Sequence, residues 1–259
     1  MKGVVMPGEE RVIVERDAEH LARRGADLFS RAARESTDQQ GRFAVALSGG
    51  STPRPMYRLL AREPYLSDIP WHSTHLFWVD ERVVPFDHPD SNFGAAKKDF
   101  LDHVPIPPDQ LHPMPAWARP EEGAALYRTE LKSFFERFGG GDYPVFDLIY
   151  LGVGKDGHTA SLFPGQASLE ESRAWVLSVK GGDPDVFRLT LTLPVLNRSK
   201  RIIFLVSGEE KASILRSLFE ERGSPLPARK VSPLDGRVTW LLDRAAVSLM
   251  PEEIRNAEI

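Results

Sequence analysis

The chain has 259 residues, 41% hydrophobic and 27% charged, with a formal net charge of −4 and no cysteine. That size suits one well-packed α/β core, and acids mixed among the basic residues leave no positive field for nucleic acid. The lack of cysteine excludes disulfides, thiolate metal sites and cysteine nucleophiles, and no segment approaches the ~18 apolar residues of a membrane span.

The first ten residues carry one early positive charge and no long apolar stretch, so a cytoplasmic protein is expected. Strands are predicted at 11–15, 43–47, 74–79, 146–151, 175–179, 189–192, 201–206 and 238–242, from short runs rich in apolar and β-branched residues. Several are apolar on both faces, as in Arg201-Ile202-Ile203-Phe204-Leu205-Val206, which predicts a largely parallel sheet covered on both sides. Between them, Asp17 can cap a helix whose apolar positions Leu21, Ala22, Gly25, Leu28, Phe29, Ala32 and Ala33 keep a 3, 4, 7 spacing. Further helices are expected at 53–62, 92–103, 120–138, 209–221 and 243–249, with Gly139-Gly140-Gly141 as a joint before the next strand. The alternation predicts a single three-layer α/β/α, Rossmann-like domain over residues 1–259, with ligand chemistry at the carboxyl edge of the sheet.

Three strand ends carry polar residues suited to that edge. Ser48-Gly49-Gly50-Ser51-Thr52-Pro53 follows the second strand, with Thr52 placed to cap a helix that Pro53 opens. Its glycines let backbone N–H groups face an anion, so the turn reads as a phosphate cradle or as a plain strand-to-helix turn. No Gly-Lys-Ser/Thr ending follows, which disfavours a P-loop. After the third strand, Asp80 and Arg82 of an extended segment face the cleft together while Glu81 faces away, the alternative being a surface ion-pair cluster. Asp87, His88 and Asp90 read as a solvated loop, and no metal site has a recognised ligand spacing.

The last strand end is Leu151-Gly152-Val153-Gly154-Lys155-Asp156-Gly157-His158. Gly152, Gly154 and Gly157 spell a dinucleotide-type pattern, but the strand at 175–179 ends in Lys180 where a ribose-binding acid belongs, and only a very short helix fits before Pro164-Gly165. A catalytic turn fits better. His158 has the chemistry of a general base near neutrality, and Asp156 could orient it or position the substrate. His20, His72, His75, His103 and His112 lack such company and read as structural.

The set Ser48-Gly49-Gly50-Ser51-Thr52-Pro53, Asp80-Glu81-Arg82, Ser91-Asn92 and Gly152 through Pro164 resembles the 6-phosphogluconolactonase family. The likeness runs on through Arg188-Leu189-Thr190-Leu191-Thr192-Leu193-Pro194, Ser207-Gly208-Glu209-Glu210-Lys211 and Leu226-Pro227-Ala228, in order over nearly the whole chain. The related glucosamine-6-phosphate deaminases have Asp-Glu-Tyr at 80–82 and a glutamate after the histidine turn, where this chain has Arg82 and Ser161-Leu162-Phe163-Pro164. The resemblance implies hydrolysis of 6-phospho-D-glucono-1,5-lactone without cofactor or metal, with His158 and Asp156 as the catalytic pair. It also implies that Gly49, Gly50, Ser51, Thr52, Asp80, Arg82, Asn92 and Lys211 bind a sugar-phosphate lactone. Backbone N–H groups of the Gly154–His158 turn are candidate oxyanion donors. A deaminase-like enzyme and a non-catalytic sugar-phosphate-binding protein are the alternatives. No nucleic-acid or membrane partner is expected, and the chain is expected to act as a monomer or weak homo-oligomer.

Overall fold

Strands that are apolar on both faces need cover on both, and Phe43 to Leu47 are each fully buried. The structure, a computed structural model, describes residues 4–6, 10–220 and 224–256. In chain order the strands are β1 (Val4–Met6), β2 (Glu10–Glu15), β3 (Phe43–Leu47), β4 (Thr74–Trp78), β5 (Asp80–Arg82), β6 (Leu111–His112), β7 (Leu148–Leu151), β8 (Val176–Gly181), β9 (Val186–Leu191), β10 (Arg201–Val206) and β11 (Arg237–Asp243). Eight of them form one sheet in the order β1-β2-β11-β10-β7-β3-β4-β6. Every pair in it is parallel except β1 with β2, and helices cover it, so the α/β architecture matches the expectation.

The chain runs from β3 outward to β4 and β6, then returns to β7 and continues to β10 and β11 on the other side. Strand order therefore reverses between β3 and β7. That reversal opens a crevice at the carboxyl ends of the strands, where ligands of open α/β sheets bind.

The helices are α1 (Ala18–Gln40), α2 (Arg54–Leu60), α3 (Tyr65–Asp68), α4 (Asn92–Asp99), α5 (Pro120–Glu136), α6 (Leu193–Leu196), α7 (Ala212–Glu220), α8 (Pro227–Lys230) and α9 (Glu252–Arg255). Asp17 caps α1 by accepting from the His20 N–H, as its sequence position predicts. Leu21, Ala22, Gly25, Phe29, Ala32 and Ala33 lie on the buried side of that helix.

Several expectations are corrected. Residues 175–179 and 189–192 belong to no parallel sheet: β5, β9 and β8 make a separate antiparallel one, with Asp80 opposite Thr190 and Arg82 opposite Arg188. Only residues 182–185 join β8 to β9, too few for the dozen or more that a parallel crossover needs. Thr52 does not cap α2. Pro53 stands at the N-cap, its carbonyl accepting from the Tyr57 N–H, and the helix closes at Leu60. The helix expected at 92–103 breaks at Phe100, and that expected at 209–221 starts as a 3₁₀ turn before α7, with Glu221 outside the described residues. Residues 244–249 form turns instead of a helix: Asp243 is the last residue of β11, and its carboxylate accepts from the Ala246 N–H.

At the β4–β6 edge, His75 Nδ1 lies 3.2 Å from His112 Nε2, and His112 Nδ1 lies 2.7 Å from Glu130. Burial and then the His112 neighbour push the His75 pKa down to about 4. A histidine whose folded pKa is depressed binds fewer protons folded than unfolded, so its stabilising effect is lost as pH falls from about 6.5 towards 4. Thermal melts should show a drop in Tm between pH 7 and pH 5 that shrinks in His75→Leu; an identical drop in both proteins would exclude this pair as its source.

Candidate active site

Four adjacent strands of the large sheet, β10, β7, β3 and β4, deliver their carboxyl ends to one cleft of about 710 Å³. Gly49, Gly50, Ser51 and Thr52 line it after β3, and Asp80 and Arg82 after β4. Asn92 lines it from the start of α4, Asp156 and His158 from the turn after β7, and Lys211 from the segment after β10. The polar strand ends singled out in the sequence therefore meet.

The β3 turn is fixed from below. Ser48 Oγ donates to the Tyr150 carbonyl at 2.7 Å, and Tyr57 Oη donates to the Ser48 carbonyl at 2.6 Å. Gly50 takes a left-handed φ of 92°, and a Cβ on Gly49 would stand 1.8 Å from Asn92 Oδ1. Glycine is thus required where the turn touches α4. Among the described residues, the N–H groups of Gly49, Gly50, Ser51 and Thr52 donate to no protein acceptor, which leaves them for an anion.

In the β7 turn, His158 Nδ1 lies 2.5 Å from Asp156 Oδ1, and the His158 N–H donates to the same oxygen at 3.1 Å. Burial alone would push the Asp156 carboxyl up, but the His158 N–H and ring together hold it below the usual range. An ionised carboxylate only accepts, so the hydrogen-bond pattern assigns the proton to Nδ1 and leaves Nε2 as the basic nitrogen. The ring packs on Phe163 at 4.8 Å between centroids. A Cβ on Gly154 would stand 2.1 Å from His158 Nδ1, so that glycine makes room for the imidazole rather than for a ligand. The Gly154, Gly157 and His158 N–H groups are already donated, to the His158 carbonyl, the Gly154 carbonyl and Asp156, which removes them as oxyanion donors.

Lys180 lies on β8 in the small sheet, so it does not stand where a ribose-binding acid would. The turn itself excludes a dinucleotide site. Thr159 and Leu162 close a bridged turn, so no helix follows the glycines to hold a pyrophosphate.

Glu81 points away from the cleft, as alternation predicts, but it is fully buried. It accepts from the Arg82, Asn92 and Phe93 N–H groups and from Ser91 Oγ, joining β5 to the start of α4. Burial pushes its carboxyl up to about 7 against those donors. Asp80 accepts from Ser161 Oγ at 2.6 Å, while Asn92 Nδ2 donates to the Asp80 carbonyl at 2.9 Å. Through Asp80, the segment after His158 is tied to the residues beside the β3 turn. Ala160, which lines the cleft, sits at φ 49°, a conformation unusual outside glycine and held here by that tie.

Arg188 is the cleft residue that sequence reasoning left without a role. Only 4% exposed, it donates from Nε to the Gly181 carbonyl and from Nη2 to the Pro184 carbonyl. Burial, then the neighbouring Arg82, lowers its pKa. Arg82 donates from Nη1 to the Asp90 carbonyl, while its buried Nε has no partner. Two guanidinium groups lining one cleft suit a doubly charged anion. The cross-strand register of Arg82 with Arg188 brings them together, and that pairing required knowing the small sheet. Lys211 Nζ donates to the Val153 carbonyl at 2.8 Å, and burial lowers its pKa. Among the described residues, no group of three or more His, Asp or Glu side chains is placed to hold a metal ion.

Residues 16–240 match the family model described as glucosamine-6-phosphate isomerases/6-phosphogluconolactonase. The chain belongs to this family. It is 45% identical to a 6-phosphogluconolactonase of Synechocystis over 212 residues, 80% of this chain and 85% of that one. The solved structure of a 6-phosphogluconolactonase from Trypanosoma cruzi superposes with a TM-score of 0.84 at 26% identity, covering 95% of this chain and 98% of the other. A monomeric glucosamine-6-phosphate deaminase superposes at a TM-score of 0.76 and 25% identity, over 92% of this chain and 99% of its own. Both branches of the glucosamine-6-phosphate isomerase/6-phosphogluconolactonase family thus share this fold. The side chains in the cleft must separate them. No helix among the described residues is long and apolar enough to cross a membrane.

Proposed function

We propose that the chain hydrolyses 6-phospho-D-glucono-1,5-lactone to 6-phosphogluconate, with His158 as general base and the cationic side of the cleft as the phosphate site. The observation that carries this reading is the His158–Asp156 pair sharing one cleft with Arg82, Arg188 and the open N–H groups of the β3 turn.

His158 Nε2 takes a proton from a water molecule as its oxygen attacks the lactone carbonyl carbon. The tetrahedral intermediate collapses, the bond to the ring oxygen breaks, and that oxygen receives the proton back from the imidazolium. Asp156 holds the ring and stabilises its charge while the proton is carried. Arg82, Arg188, Lys211 and residues 49–52 hold the phosphate. A lactone hydrolyses slowly without help, so one placed base and one anchored anion supply a sufficient reduction of the barrier.

Arg82 in place of the deaminase tyrosine supports the lactonase branch, as do Ser161 bonded to Asp80 and Phe163 packed on His158 in place of an acid after the histidine. The same proposal makes this a cytoplasmic enzyme acting alone or as a weak homo-oligomer on a small molecule. Acid release from freshly prepared lactone, above the spontaneous rate, is the expected result. Ammonia release from glucosamine 6-phosphate would favour the deaminase, and 6-phosphogluconate binding without turnover would indicate a sensor.

A further inference from the structure

The peptide group between Gly157 and His158 is held at both ends. Its N–H donates to Asp156 Oδ1 at 3.1 Å, and its carbonyl accepts from the Ala228 N–H at 3.1 Å. Gly157 sits at φ 83°, and Leu226 fills the space beside it, 3.0 Å from where a Cβ would be. The catalytic turn therefore rests on the short helix α8 and the residue before it. That helix is clamped in turn: Arg229 Nη1 donates to both carboxylate oxygens of Glu10, at 2.8 and 2.7 Å, on strand β2 of the large sheet. The pair is largely shielded, with side-chain exposures of 28% and 11%, whereas the neighbouring Lys230–Glu170 pair has 34% and 80%. Shielded pairs with two hydrogen bonds resist solvent screening better than exposed ones.

We infer that Arg229, through its ion pair with Glu10, is a positioning residue that keeps His158 against Asp156, although it lies outside the cleft. If α8 shifts, Ala228 releases the Gly157 carbonyl, the peptide plane can turn, and the N–H that anchors the His158 backbone on Asp156 turns with it. This inference rests on His158 being the general base.

The test uses Arg229→Met, Glu10→Gln, the charge exchange Glu10→Arg with Arg229→Glu, and each of the first two combined with His158→Ala, all assayed as intact folded chains. Arg229→Met and Glu10→Gln should each lower kcat about 3- to 10-fold with KM unchanged, a loss of the size that small displacements of a catalytic group produce. The charge exchange should restore part of the rate, and neither single change should slow the His158→Ala enzyme further. Wild-type kcat in both single variants would overturn the inference, as would an equal further loss in the His158→Ala background, which marks general loss of folded protein. Near-wild-type turnover in His158→Ala alone would overturn the base assignment itself. A slow His158→Ala with normal Arg229→Met would overturn only the brace.

Discussion

Replacing His158 with alanine should lower kcat by about 10²- to 10⁴-fold, the range that a positioned general base contributes, with KM nearly unchanged. The split follows from the geometry. In the proposed mechanism His158 touches the reacting centre and the phosphate is held elsewhere in the cleft, so substrate should still bind when the base is gone. Asp156→Asn should give a smaller loss in the same parameter, because an amide can still meet the ring but no longer fixes the proton on Nδ1 or balances the imidazolium. Steady-state kinetics on fresh lactone, corrected for spontaneous hydrolysis, measure both. A His158→Ala enzyme with wild-type kcat, or a loss confined to KM, would contradict the assignment.

Arg188→Met should act in the opposite way, raising KM about 10- to 150-fold while kcat falls little. That range corresponds to losing one charge-assisted contact of about 1.5–3 kcal/mol. Methionine retains much of the buried stem, which limits the packing loss. Arg188→Lys separates charge from shape: it keeps a cation but loses the planar fork that bonds Gly181 and Pro184 while facing the cleft. The KM of Arg188→Lys should fall between those of wild type and Arg188→Met. Arg82→Ala should also raise KM, and if both groups meet one phosphate, as proposed, the double variant should show non-additive losses. Unchanged KM in Arg188→Met would remove it from the phosphate site.

Much of the site was legible because β-strand ends are marked locally. Gly49 and Gly50 after one apolar run, Asp80 and Arg82 after the next, and Asp156 with His158 after a third are contiguous motifs, and a parallel sheet sends such ends to one edge. What was not legible depends on pairing between distant segments. Arg188 joins the cleft only because β9 pairs with β5 in a second sheet, and periodicity alone could not separate that hairpin from more parallel strands. Local propensity favours Thr52 as a cap, while the turn that Ser48 and Tyr57 lock places Pro53 at the helix start. The role of Gly154 was missed for a related reason: the space a side chain would need is occupied by a ring four residues away, folded back by Asp156. Elements whose identity is settled by their own residues, such as α1 with its Asp17 cap, were readable directly.

The most direct test of the central claim is a structure of the protein with 6-phosphogluconate bound. The phosphate should lie among Arg82, Arg188 and the N–H groups of residues 49–52, and the carboxylate formed from the lactone carbonyl should lie within hydrogen-bond reach of His158 Nε2, directly or through one water. A product bound in the reverse direction, with its phosphate against His158, or one whose carboxylate lies far from that nitrogen, would contradict it.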